Sequence, residues 1–190
     1  MREYIQDYFD EILNIVRCID KQSIINFTNT ILDIRKKEGR LFFLGVGGSA
    51  GNASHAVNDF RKILNIESYA VTDNVSELTA RINDESWEDS YVNSLKVSRL
   101  NKNDGIVILS VGGGSDTTSK NLVNCIKYAN SLGCSVLSIV SRDGGYAGKH
   151  STSCINIPVV CHDRITAHAE EWQGILWHMM VNYIKDLNNI

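Results

Sequence analysis

The sequence predicts an α/β fold: a three-layer sandwich with a central parallel sheet, helices on both faces and two further helices ahead of the first strand. Three observations carry this. Short apolar runs alternate with segments of helical period along the 190 residues. Two of those runs, 41–44 and 106–109, run into glycines, as buried strands do when they turn into a helix. A strand–turn–helix repeat of this kind pairs its strands in parallel and covers both sheet faces. A single proline and the lack of repeats or low-complexity tracts leave no linker, so residues 1–190 read as one domain.

Each element has its own signal. Residues 3–18 place Ile5, Phe9, Ile12, Leu13 and Val16 at helical spacing. Residues 21–38 repeat the pattern with Ile24, Ile25, Phe27, Ile31, Leu32 and Ile34, and stop at a basic turn and Gly39. Strand 41–44 follows, then a helix over 49–64, a strand over 68–72, and helices over 76–82 and 89–100. Strand 106–109 runs into Gly112, Gly113 and Gly114, and a helix over 117–132 ends at Gly133. A strand over 135–140 closes on Asp143-Gly144-Gly145; a strand over 154–159 and a helix over 165–187 complete the chain.

Composition narrows the partners. The net charge is −3 with no basic stripe, which argues against direct binding of nucleic acid. Met1-Arg2-Glu3-Tyr4 does not open a signal peptide and no apolar run is long enough to span a bilayer, so a cytoplasmic protein without a membrane partner is expected. The five cysteines have no metal-ligand spacing and read as buried, reduced thiols.

The chemistry concentrates in four residues. His55 and Asp59 are four apart, and Glu170 and His178 are eight apart, so on helices each pair shares a face. Two imidazoles and two carboxylates converging on one cavity would supply acid/base groups, a divalent-metal site, or both. His55 and Asp59 also read as a plain i,i+4 ion pair, and His178, beside Trp177, as a core histidine. The glycine turns suggest a ligand. Gly45-Val46-Gly47-Gly48-Ser49 would present backbone N–H groups at a helix N-terminus, where the dipole favours an anion. Ser110 and Ser115 flank Gly112, Gly113 and Gly114 after the second apolar strand. Neither turn is a Walker A or a dinucleotide fingerprint, and serine-rich loops suit a phosphate monoester better than a nucleotide.

Taken in order, the turn at 45–49 with His55, the segment Leu78-Thr79-Ala80-Arg81-Ile82-Asn83-Asp84, the 110–115 loop and Asp143-Gly144-Gly145 resemble the sugar isomerase (SIS) fold. Within it they resemble the phosphoheptose isomerases that act on sedoheptulose 7-phosphate. The resemblance covers nearly the whole chain. It implies a homotetramer with active sites between subunits. It implies Asp59 and His178 as the acid/base pair, and a Zn²⁺, one per subunit, on His55, Asp59, Glu170 and His178. It implies substrate or phosphate contacts from Gly47, Gly48, Ser49, Asn83, Asp84, Ser110, Gly112, Gly113 and Ser115. The implied reaction is aldose–ketose isomerisation of sedoheptulose 7-phosphate to D-glycero-D-manno-heptose 7-phosphate through an enediol. Non-catalytic SIS proteins, such as sugar-phosphate sensors and a replication-initiator assembly factor, are the alternative. This chain departs from the pattern at four places. Asp59 replaces a Glu, Glu170 a Gln and Val46 an Asn, and the second loop has two hydroxyls fewer.

Overall fold

In a computed structural model, which describes residues 1–187, five parallel strands stand in the order β2-β1-β3-β4-β5. The last three positions of the expected 1–190 domain lie outside the described residues. Helices α1 (Arg2–Cys18) and α2 (Lys21–Lys36) precede β1 (Leu41–Gly45), which leads into α3 (Gly48–Lys62). Next come β2 (Ser68–Ala70), α4 (Val75–Asp84), α5 (Trp87–Val97), β3 (Gly105–Leu109) and α6 (Lys120–Ser131). The chain continues through β4 (Ser135–Val140), α7 (Gly145–His150), β5 (Ser153–Asn156), a 3₁₀ turn (His162–Arg164) and α8 (Ile165–Leu187).

The central strands are apolar throughout because both their faces are covered. Alternate residues serve opposite layers. Leu41, Phe43, Val107, Leu109, Leu137 and Ile139 pack with α2, α3 and α8. Phe42, Leu44, Ile106, Ile108, Val136 and Val140 pack with α5 and α6. The register is continuous, from Leu41 opposite Gly105 to Gly105 opposite Ser135. Because β1 pairs with β2 on one side and β3 on the other, the winding direction reverses between β1 and β3. A crevice opens there at the carboxyl ends of the strands, the usual place for a ligand in such sheets.

Several element ends differ from the sequence expectation, each for a local reason. The last strand stops at Asn156 instead of 159, since Pro158 has no N–H to continue the ladder. Helix α6 starts at Lys120 instead of 117. The Ser115 hydroxyl accepts the N–H groups of Thr117 (3.3 Å) and Thr118 (3.0 Å), and Ser119 is left-handed at φ 51°. The short helix α7 was not legible, because Gly144, Gly145 and Gly148 mask its helical character. Of the cysteines, all free, only Cys125 and Cys134 are buried; Cys18 is exposed, and Cys154 and Cys161 are half-buried.

Candidate active site

Two candidate regions flank α3. One is a cavity of about 390 Å³ at the switch point. Its walls come from the turn after β1 (Val46, Ser49), the loop after β3 (Ser110 to Ser119), the turn after β4 (Arg142, Asp143) and Glu170 on α8. Gly47, at φ +64°, gives the first turn a conformation that a side chain would oppose. The second loop is shaped by its neighbour. Tyr146 and Ala147 donate their N–H groups to the carbonyls of Gly114 (2.9 Å) and Gly113 (2.9 Å), and a Cβ on Gly113 would strike the Gly144 carbonyl. Gly113 thus serves a backbone clasp between two loops, and Gly112 and Gly114 line the cavity.

The three expected serines share one electronic feature. Ser49 Oγ accepts from Gln173 Nε2 (3.1 Å), Ser110 Oγ from the Gly113 N–H (3.1 Å), and Ser115 Oγ from two backbone N–H groups. Each hydroxyl already accepts from the protein and keeps its own hydrogen to donate, which suits an anion. Thr118 and Ser119 also line the cavity and restore hydroxyls to the loop. Sequence reasoning passed over them because they lie in what reads as the next helix. It also missed Gln173, fully buried, whose Oε1 accepts from Asn52 Nδ2 (2.9 Å) and which thereby ties α3 to α8.

The other region is a cluster on α3 and α8. His178 Nε2 lies 3.3 Å from Asp59 Oδ2, and His55 Nε2 lies 3.9 Å from the same oxygen. Asp59 is buried; it accepts from Trp177 Nε1 (3.4 Å) and Asn58 Nδ2 (3.0 Å). His178 Nδ1 faces the Gly174 carbonyl at 2.8 Å, which can only accept, so Nδ1 carries the proton. With Nδ1 so engaged, it is Nε2 that faces the carboxylate oxygen, an arrangement that suits a proton or a cation between them. His55, Asp59 and His178 offer three ligand atoms within 4.8 Å of one another. Two imidazoles and a carboxylate with an open side fit a divalent transition metal.

Of the four residues expected to converge, three do. Glu170 stands apart, because eight residues on one helix span about 12 Å of its axis. Its carboxylate lies against Gly48, where a Cβ would collide with it, at the N-terminus of α3. Asn83 and Asp84 sit exposed at the end of α4, hydrogen-bonded to each other at 2.7 Å, and do not line the cavity. None of His55, Asp59 and His178 lines it either; Asp59 is ten residues beyond Ser49, about 15 Å along α3.

A doubly wound sheet with an anion-suited crevice at its switch point and a His/Asp cluster on the helix that leaves it defines an α/β protein with a candidate site for a small, negatively charged ligand. More particularly, the chain belongs to the SIS domain family, whose profile matches residues 7–141. It is 28% identical over 187 residues to the "Probable phosphoheptose isomerase" of Thermoplasma volcanium, covering 95% of this chain and 90% of that one. The structure is similar to that of phosphoheptose isomerase GmhA from Neisseria gonorrhoeae, with a TM-score of 0.85 at 22% identity over 97% of this chain and 98% of the other. It also resembles the Vibrio vulnificus NanR protein complexed with ManNAc-6P, with a TM-score of 0.67 at 15% identity over 95% of this chain and 60% of that one. Among the described residues, no helix is long and apolar enough to cross a membrane.

Proposed function

We propose that this protein is a sugar-phosphate aldose–ketose isomerase that converts sedoheptulose 7-phosphate to D-glycero-D-manno-heptose 7-phosphate. The observation that carries the reading is the His178–Asp59 pair, 3.3 Å apart, in a chain of the SIS family that resembles phosphoheptose isomerases over nearly its full length. Moving a proton between C1 and C2 requires a base for the carbon-bound proton and an acid for the carbonyl oxygen. His178 and Asp59 are suitable types for both roles. The Gly174 carbonyl fixes the imidazole tautomer, and Trp177 and Asn58 hold the carboxylate in place. The serines of the 110–119 loop bind the phosphate, and Ser49 orients the rest of the substrate. Asn83 and Asp84 are proposed to contact substrate from a neighbouring protomer's α4. Zn²⁺, one per subunit, would be held by His55, Asp59 and His178, and when bound would supply charge stabilisation to the enediolate. Glu170, a ligand by family resemblance, adds negative charge on the cavity side.

A homotetramer completes this reading. An extended heptose phosphate spans about 10 Å, from eight bonds of roughly 1.5 Å in zigzag, less than the roughly 15 Å along α3 between Ser49 of the cavity and Asp59 of the acid/base pair. The acid/base pair serving one cavity is therefore assigned to a partner protomer. The expected site of action is the cytoplasm.

A coupled assay on sedoheptulose 7-phosphate tests the proposal. Wild type should turn over, and His178→Ala should lose on the order of 10²–10⁴-fold in kcat. No turnover by wild type would favour a sugar-phosphate-binding regulator, a reading supported by the lack of any imidazole in the cavity wall.

A further inference from the structure

The two glycine turns look equivalent in sequence, and the structure makes them unequal. At the first turn the Glu170 carboxylate lies over Gly48, so the chain's own negative charge already occupies the N-terminal end of α3. A phosphate there would meet repulsion. The second turn, in contrast, has spent backbone donors internally. The Gly113 N–H goes to Ser110 Oγ, the Ser115 N–H to the Thr118 carbonyl (2.8 Å), and the Thr117 and Thr118 N–H groups to Ser115 Oγ. Hydroxyl donors remain, but a dianion between Glu170 and Asp143 needs a positive charge as well.

Arg142 is the cation in that wall. It lies two residues past the end of β4 and holds a left-handed backbone, φ +55°, which few non-glycine residues adopt without cost. Its carbonyl is held by Asn156 Nδ2 at 3.2 Å, and a Cβ placed on Gly112 would lie 3.9 Å from its NH1, so the guanidinium reaches over the second loop. Arg40, Arg81 and Arg164 are each paired with a carboxylate; among the described residues, Arg142 is in no ion pair. We propose that Arg142 is a phosphate-binding residue, which clamps the phosphomonoester of the substrate against the Ser110–Ser119 loop and fixes that end of the cavity as the phosphate end. This deepens the sugar-phosphate reading of the cavity and rests on it.

Arg142→Gly provides the test, because glycine suits φ +55° and the variant should fold at least as well as wild type. Inorganic phosphate binding is measured by calorimetry, beside kcat and KM for sedoheptulose 7-phosphate. The variant should bind phosphate roughly 10–100-fold more weakly and raise KM by a similar factor, with kcat little changed. Arg142→Lys should fall between the two, since it keeps the charge and loses the bidentate fork. Equal phosphate affinity in wild type and Arg142→Gly, or no phosphate binding by wild type, overturns the proposal. Arg142-dependent phosphate binding without turnover would leave it standing and sink the isomerase reading. Turnover with Arg142-independent phosphate binding would do the reverse.

Discussion

Around Asp59, two imidazoles, an indole and an amide converge on one short carboxylate. Its pairing with His55 was legible from spacing, because i,i+4 on one helix fixes a shared face whatever the tertiary fold, whereas its meeting with His178, on another helix, was expected from the family resemblance. The same argument placed Glu170 and His178 on one face, but eight residues also set them about 12 Å apart along the axis, and the carboxylate went to the cavity. Gln173 and Arg142 were not legible, since an amide in an amphipathic helix and a cation in a turn both read as solvated. Gln173 is nevertheless fully buried, with its amide bonded to Ser49 and Asn52. Replacing Gln173 with Leu would strand Ser49 Oγ and one Asn52 bond in the interior. We expect a loss of about 1–3 kcal/mol, the cost of unsatisfied buried polar groups, read as a shift in the urea midpoint at constant slope.

Helix α1 illustrates how an element with little buried surface is held. Ile15 is its only buried residue. Glu11 makes up the difference: it pairs with the Arg164 guanidinium and lies 2.7 Å from Nε2 of the buried His168, while Tyr8 donates to Glu171 at 2.6 Å. The Arg164 hydrogen bonds, with help from His168 and Cys161, outweigh the burial of Glu11 and hold its carboxyl down at about 2 from an ordinary 4.5. A carboxyl with a lowered folded-state value stabilises above its ordinary value, and loses that contribution as pH falls through the lowered one. Wild type should therefore lose stability between about pH 4.5 and pH 2 more steeply than Glu11→Gln, with the two curves converging at the acid end. Urea midpoints across that range check it. The sequence showed α1 as an amphipathic helix, but not which ions dock it, because Glu11 and Arg164 are far apart along the chain. Element existence was legible where apolar period was strong. The ends at Asn156 and Lys120 depended on Pro158 and on the Ser115 turn, which act locally against the period.

The architecture as a whole followed from the alternation of apolar runs and helices, since a parallel sheet is the one arrangement that covers strands such as Leu41–Gly45 on both sides. What the molecule leaves uncovered bears on assembly. Ile5, Phe9, Leu13 and Val16 of α1 and Ile175, Met179, Tyr183 and Leu187 of α8 form exposed stripes at helical spacing. Stripes of this kind suit the interfaces of the proposed tetramer. Phe9→Asp, with no buried contact to lose, should shift light-scattering mass toward smaller species while leaving the fold's circular dichroism unchanged; an unaltered mass would place the interface elsewhere. The proposed isomerisation of a heptose phosphate by the His178–Asp59 pair is read out by NMR of sedoheptulose 7-phosphate incubated with the pure protein. Aldoheptose 7-phosphate should accumulate with wild type and not detectably with His178→Ala on the same timescale. Unchanged ketose with wild type, or equal conversion by the variant, would contradict it.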